Sequence, residues 1–166
     1  MNTVGRVAWH ASGFTSGEVR NITVRRHVSV GNYANGIWYD VYCKDILVED
    51  SLIYGNKRMG VMFELTRPKG GPHVLRNSIA AENDNTGVYL TMAANSRVED
   101  NLVFRNGGCA FVEHDPSKQS QLLYKFRDHP QGPNSPEAWQ SVTITRNWLL
   151  SDLPGSRIID PGCAAD

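Results

Sequence analysis

The chain has 166 residues, with 17 Lys+Arg against 17 Asp+Glu and 40% hydrophobic residues. That length suits one domain with a real core, and a formal charge of zero excludes a nucleic-acid or membrane-surface partner held by bulk electrostatics. No apolar run reaches the length of a membrane span, and an odd set of cysteines (Cys43, Cys109, Cys163) at unrelated spacings argues against a disulfide framework or a zinc site.

At the start, MNTVGRVAWHASG lacks the charged region and long apolar run of a secretory signal. Within it, GRVAWHASG (5–13) reads as the first strand of a coil, with Gly5 in the role that Gly36 plays later. From residue 21 the chain repeats: NITVRRHVSVGN (21–32), DILVEDSLIYGN (45–56), PHVLRNSIAAEN (72–83), NSRVEDNLVFRN (95–106) and SVTITRNWLLSD (141–152). The anchors Val24, Val48, Leu75, Val98 and Ile144 are spaced by 24, 27, 23 and 46 residues, the last being one turn plus an insertion. Each segment closes on Asn32, Asn56, Asn83, Asn106 or Asp152, and Gly36, Gly60, Gly87 or Gly108 opens the next run.

Strand alternation sorts the faces. Ile37, Val61, Val88 and Cys109 point inward as one stack, and Tyr39, Phe63, Leu90 and Phe111 as the next. Ile22 and Ile46 share the anchors' face, where His73 and Ser96 interrupt the apolar column. Outward beside the anchors, Arg25, Glu49, Arg76 and Glu99 alternate in sign, which fits parallel strands roughly 4.8 Å apart because like charges placed opposite destabilise. His27, Ser51, Ser78, Asn101 and Asn147 take the bends, where short polar side chains bond to nearby backbone and to one another from turn to turn. Gly and Asn every dozen residues, with β-branched residues between, exclude helices.

These repeats resemble the right-handed parallel β-helix of pectate-lyase-like proteins over residues 17–112 and 140–160. GIWYDVYCKDILVEDSLIYGN followed by GVMFE is also similar to a bacterial subgroup of β-helix proteins often attached to carbohydrate-processing regions. The resemblance implies an all-β, right-handed parallel β-helix of about five to six coils in a single domain, 1–166, with one long loop insertion at 113–140. It also implies an extracellular or periplasmic location. Neither end carries an amphipathic capping helix, so the reading expects a fragment of a longer β-helix or self-association through uncapped coil ends. The insertion has two readings: a wall of a groove, together with the loop 66–72, or a surface flap packed by Leu122, Leu123, Tyr124 and Phe126.

Alternation turns Trp38, Met62 and Tyr89 outward in one row, with Asp40, Glu64 and Thr91 beside it. An exposed aromatic row next to acids is a sugar platform, with rings stacking on pyranose faces and carboxylates bonding hydroxyls. In the pectate-lyase-like fold this strand lines the substrate groove, so the resemblance places a polysaccharide or oligosaccharide there. Stacked coils hold Asp40 and Glu64 about 5 Å apart, the separation of a retaining glycosidase pair. The same pair is a Ca²⁺ candidate, with Arg67 and Lys69 flanking as substrate-binding cations, or simply a solvated outer face. Departures from the family are specific: Val41 stands where a WIDH-like stretch has histidine, and Arg67-Pro68 with Arg76 does not meet the arginine–proline spacing. Paired-aspartate and Gly-His-Gly signatures are missing, so no family catalytic residue carries over. Glu113-His114-Asp115 has no second histidine at ligand spacing. The expected function is a lyase or glycosidase acting on a polysaccharide, or else a non-catalytic module for glycan binding or spacing.

Overall fold

The computed structural model describes residues 12–66, 72–93, 95–108, 119–125, 142–153 and 157–160. The first turn runs through β1 (Ser12–Ser16), β2 (Arg20–Arg25) and β3 (Val28–Val30). The second comprises β4 (Asn35–Tyr39), β5 (Lys44–Glu49) and β6 (Leu52–Tyr54). The third holds β7 (Val61–Thr66), β8 (His73–Arg76) and β9 (Ile79–Ala81), and the fourth β10 (Val88–Ala93), β11 (Ser96–Glu99) and β12 (Leu102–Phe104). β13 (Ser120–Lys125), β14 (Thr143–Thr145), β15 (Trp148–Leu150) and β16 (Arg157–Asp160) continue the winding. Four full turns are thus followed by further strands, against about five to six coils expected.

Three parallel sheets result. Sheet A is β1-β4-β7-β10-β13-β16, sheet B is β2-β5-β8-β11-β14 and sheet C is β3-β6-β9-β12-β15. Register follows the sequence repeat: Val24 pairs with Val48, Val48 with Leu75, Leu75 with Val98 and Val98 with Ile144. Ile37, Val61 and Val88 stack inside, as do Tyr39, Phe63 and Leu90. An aromatic column extends that second stack, with ring centroids 5.5 Å apart for Phe14–Tyr39 and 6.2 Å for Tyr39–Phe63. His73 and Ser96 sit buried in the Ile22–Ile46 column, as the sequence indicates.

The turns use left-handed backbone. Arg26, Asp50, Asn77, Asp100 and Arg146 at the B–C corner all have φ between 49 and 59°. The expected bend residues follow one position later and join the turns instead. Ser51 Oγ accepts from His27 N at 3.1 Å, Ser78 Oγ from Ser51 N at 3.1 Å, and Asn101 Oδ1 from Ser78 N at 3.0 Å. A second ladder runs up the C–A corner: Asn32 donates Nδ2 to Asn56 Oδ1, Asn56 to Asn83 and Asn83 to Asn106, at 2.8, 2.8 and 2.7 Å. This ladder explains the glycines. A Cβ on Gly36 would meet Gly60 O at 2.6 Å and Asn56 Nδ2 at 2.8 Å, so the amide column leaves no room for a side chain.

Outside sheet B the alternating charges pair. Glu49 Oε1 accepts from Arg25 Nε at 2.5 Å and Oε2 from Arg76 Nε at 2.8 Å, and the hydrogen bonds from Arg76 and then Arg25 hold its carboxyl below the usual range.

Two expectations are corrected. The position corresponding to Gly36 in the preceding turn is Gly13, since Ser12 pairs with Asn35; Gly5 lies outside the described residues. More consequentially, the strand that follows β10 in sheet A is β13, drawn from within the expected insertion 113–140. Leu122 and Tyr124 take the register positions next to Val88 and Leu90 that were assigned to Cys109 and Phe111, which lie outside the described residues. Leu122 is fully buried in the core, so it is not part of a surface flap. Gln121 explains why no glycine marks this strand: its Oε1 accepts from Asn106 Nδ2 at 2.9 Å, so its side chain caps the asparagine ladder.

Candidate functional site

The outer face of sheet A carries the row that sequence alternation singles out. Trp38 pairs with Met62, Met62 with Tyr89, and Tyr89 with Leu123 in register. One step beyond the last β4–β7 pair, Tyr39 with Phe63, come Asp40 and Glu64, and Glu64 pairs onward with Thr91. Register therefore puts Asp40 and Glu64 at neighbouring positions of consecutive turns. Thr91 pairs in turn with Lys125, a register neighbour that reading 113–140 as an insertion misses.

The expected exposure is not observed. Trp38, Met62, Tyr89 and Thr91 are only 2%, 1%, 0% and 2% exposed. Trp38, Met62 and Tyr89 join Met59 in a second buried cluster, separate from the core inside the turns. An exposed stacking platform is thus not what Trp38, Met62 and Tyr89 make. The sequence carried the signal: GIWYD and GVMFE hold unbroken apolar triplets, the pattern of parallel strands buried on both faces, whereas a strand with one wet face alternates. Met59 was not singled out because it lies ahead of its glycine, outside the alternating run.

At the border of this sealed cluster the two acids are half-buried. Trp38 donates its indole Nε1–H to Glu64 Oε2 at 3.1 Å, which fixes the carboxylate of one turn against the ring of the turn before. Asp40 accepts from Val41 N at 2.7 Å through Oδ1, and its own N–H bonds Ser16 O at 2.9 Å. Beyond Glu64, Leu65 and Met92 adopt φ of 53° and 48°, left-handed values that bulky residues rarely take. Both lie inside their strands, whose pairing continues to Thr66 with Ala93. Arg67 and Lys69 lie outside the described residues, as do Glu113, His114 and Asp115. Among the described residues no group of three or more His, Cys, Asp or Glu is arranged to hold a metal ion, so Asp40 and Glu64 gain no third ligand of those types there.

Beneath the acids, Tyr39 and Cys43 are buried in the core. Burial pushes the Tyr39 hydroxyl well above its ordinary range, and burial likewise raises the Cys43 thiol. In the turn ahead of β7, desolvation lowers the Arg58 pKa.

A family model described as the right handed beta helix region matches residues 3–123. No curated protein and no solved structure gives a significant match. The stacked parallel turns agree with that description, and the match covers well over half of the sequence: the chain belongs to the right-handed β-helix family.

Proposed function

We propose that the protein handles a polysaccharide at the border of sheet A, where the Asp40 and Glu64 carboxylates meet the edge of the buried Trp38 cluster. Membership of the β-helix family is compatible with a carbohydrate-active or carbohydrate-binding role. The observation that carries the reading is the Trp38–Glu64 bond: a half-buried carboxylate is locked in place by an aromatic residue of the neighbouring turn. A pre-set acceptor beside a second acid suits sugar hydroxyls, and neighbouring strands roughly 4.8 Å apart bring two carboxyl groups near the separation of a retaining glycosidase pair. In that chemistry one acid protonates the leaving oxygen while the other attacks or stabilises C1. A lyase would instead use one of them against a proton beside a uronic carboxylate.

Binding without turnover is the second reading, and Asp40 favours it. Its Oδ1 is already engaged by the Val41 N–H, which suits a structural carboxylate as well as a reactive one. A panel of uronic-acid and neutral polysaccharides, assayed with and without Ca²⁺, separates the readings. Unsaturated product absorbance marks elimination, new reducing ends without it mark hydrolysis, and retention without product marks binding. A protein that neither binds nor cleaves any of the panel contradicts the proposal.

A further inference from the structure

The outer faces of sheets B and C differ in kind. On sheet B one outward row is charged or polar (Arg25, Glu49, Arg76, Glu99 and Thr145) and the other is mixed (Thr23, Leu47, Val74, Arg97 and Thr143). On sheet C both outward rows are apolar from end to end. One runs Val28, Leu52, Ile79, Leu102 and Trp148, and the other Val30, Tyr54, Ala81, Phe104 and Leu150. Val28 is 64% exposed, Trp148 71% and Leu150 50%. Three-residue strands at ordinary spacings make this a continuous face of roughly 24 Å by 10 Å. Parallel sheets are covered on both sides in stable folds, and a contiguous apolar patch of this kind marks an interface.

The borders of the face say what covers it. Along the B–C corner stand Arg26, Asp50, Asn77, Asp100 and Arg146, all exposed. Along the C–A corner the same levels present Gly31, Gly55, Glu82, Arg105 and the Ser151–Asp152 pair. Consider a second copy laid face to face by a two-fold axis parallel to the winding axis. Each level then meets its own level with the two borders exchanged, so Asp100 opposes Arg105 and Arg146 opposes Asp152, twice over. With the axis perpendicular to the winding, each border meets itself in reverse. Arg26 then opposes Arg146, Asp50 opposes Asp100, and Glu82 opposes Glu82. Like charges are repelled in the second arrangement and paired in the first.

We propose that sheet C is a homodimer interface, two copies packing their apolar faces together with winding axes parallel and the same ends aligned. An isologous contact of this kind is self-complementary, as two-fold dimers require. Aligned packing of two sheets about 10 Å apart brings the Val28–Trp148 and Val30–Leu150 rows of each copy into the shared layer. With its charged borders included the face spans on the order of 500 Å² in projection, so two copies bury about 1,000 Å² or more, where specific interfaces begin. The open depression beside Val28, Leu52 and Ile79, about 510 Å³ and walled by Arg26 and Asp50, lies in the seam. Seven of the ten outward side chains are aliphatic, with Tyr54, Phe104 and Trp148 as the rings among them, a composition nearer a protein contact than a sugar platform.

Sedimentation velocity of the full chain from about 1 to 100 µM, a range that covers modest affinities, tests this. A species of twice 18.5 kDa is expected. Val28→Glu and Leu150→Glu should each weaken association at least tenfold while circular dichroism and the unfolding midpoint stay near wild type. Asp100→Arg and Arg105→Asp should each weaken it, and the double variant should regain it. The intrachain bonds of Asp100 to Arg146 and of Arg105 to Asp152 are not rebuilt by that exchange, so recovery reports pairing between copies. A monomer across the range, a dimer indifferent to Val28→Glu, or no recovery in the double variant overturns the proposal. So does a monomer whose glycan retention is lost in Val28→Glu, since the face would then be a sugar platform.

Discussion

The indole of Trp38 and the carboxylate of Glu64 belong to consecutive turns, and the 3.1 Å hydrogen bond between them is set by strand register. Because Trp38 pairs with Met62, the next outward position of β7 falls beside the ring. Replacing Trp38 with Phe keeps most of the buried volume and removes the donor. The expected cost to folding is about 1 kcal/mol. Polysaccharide retention or turnover should fall about tenfold or more, because a freed carboxylate no longer holds one orientation. Thermal unfolding and the polysaccharide assay, run together, check both; an unchanged glycan response would remove Trp38 from the site.

Leu122 tests the winding itself. If β13 is a strand of sheet A with Leu122 stacked beside Val88, Leu122→Ala should cost about 2–5 kcal/mol in denaturant unfolding. A loss within about 0.5 kcal/mol, typical of a surface flap, would show that the turn has been drawn wrongly.

The asparagine ladder makes a separate demand. Asn56 Oδ1 accepts from both N and Nδ2 of Asn32, and its Nδ2 donates to Asn83 and to Ser29 O. Asn56→Ala leaves these buried partners unsatisfied and should cost about 3 kcal/mol or more. Gly36→Ala should cost on the order of 1–3 kcal/mol through overpacking against that ladder. Gly17→Ala, where a Cβ meets nothing within 4 Å, should change stability by less than about 1 kcal/mol. Equal effects at Gly36 and Gly17 would contradict the close approach.

How far the sequence revealed this fold depended on whether a residue repeated a signal. Arg25, Glu49 and Arg76 repeat one position with alternating sign, which supports the register that the apolar anchors set. Val24, Val48, Leu75, Val98 and Ile144 repeat another. Gln121 breaks the glycine marker, because it stands in register with Gly87 and sends its amide to the asparagine ladder. The segment SQLLYK therefore looked like a loop. At the candidate site, alternation assigned Trp38, Met62 and Tyr89 to the outer face correctly, but alternation gives direction and not exposure. The unbroken apolar triplets held the missing information, since only a strand covered on both sides favours them.

Acid should loosen the turns through sheet B. Hydrogen bonds from Arg76 and Arg25 lower the Glu49 pKa, and one from Arg146 lowers that of Asp100. A carboxyl whose folded value lies below its unfolded value stabilises the fold fully above the unfolded value. That contribution is lost as pH falls through the folded one. Unfolding midpoints should therefore fall below the ordinary carboxylate range. Glu49→Gln should be less stable than wild type at neutral pH, with the gap narrowing as acid is added. A gap independent of pH would mean that the Glu49 ion pairs contribute nothing.

The most direct test of the joint site is a double-substitution cycle on the glycan response, comparing Asp40→Asn, Glu64→Gln and the pair together. If the two carboxylates serve one site, each single change should remove most of the binding or turnover, and the double variant should lose little more. All three should keep the wild-type circular dichroism spectrum. Losses that simply add, or a Glu64→Gln variant as competent as wild type, would mean that the neighbouring turns do not share a site at this border.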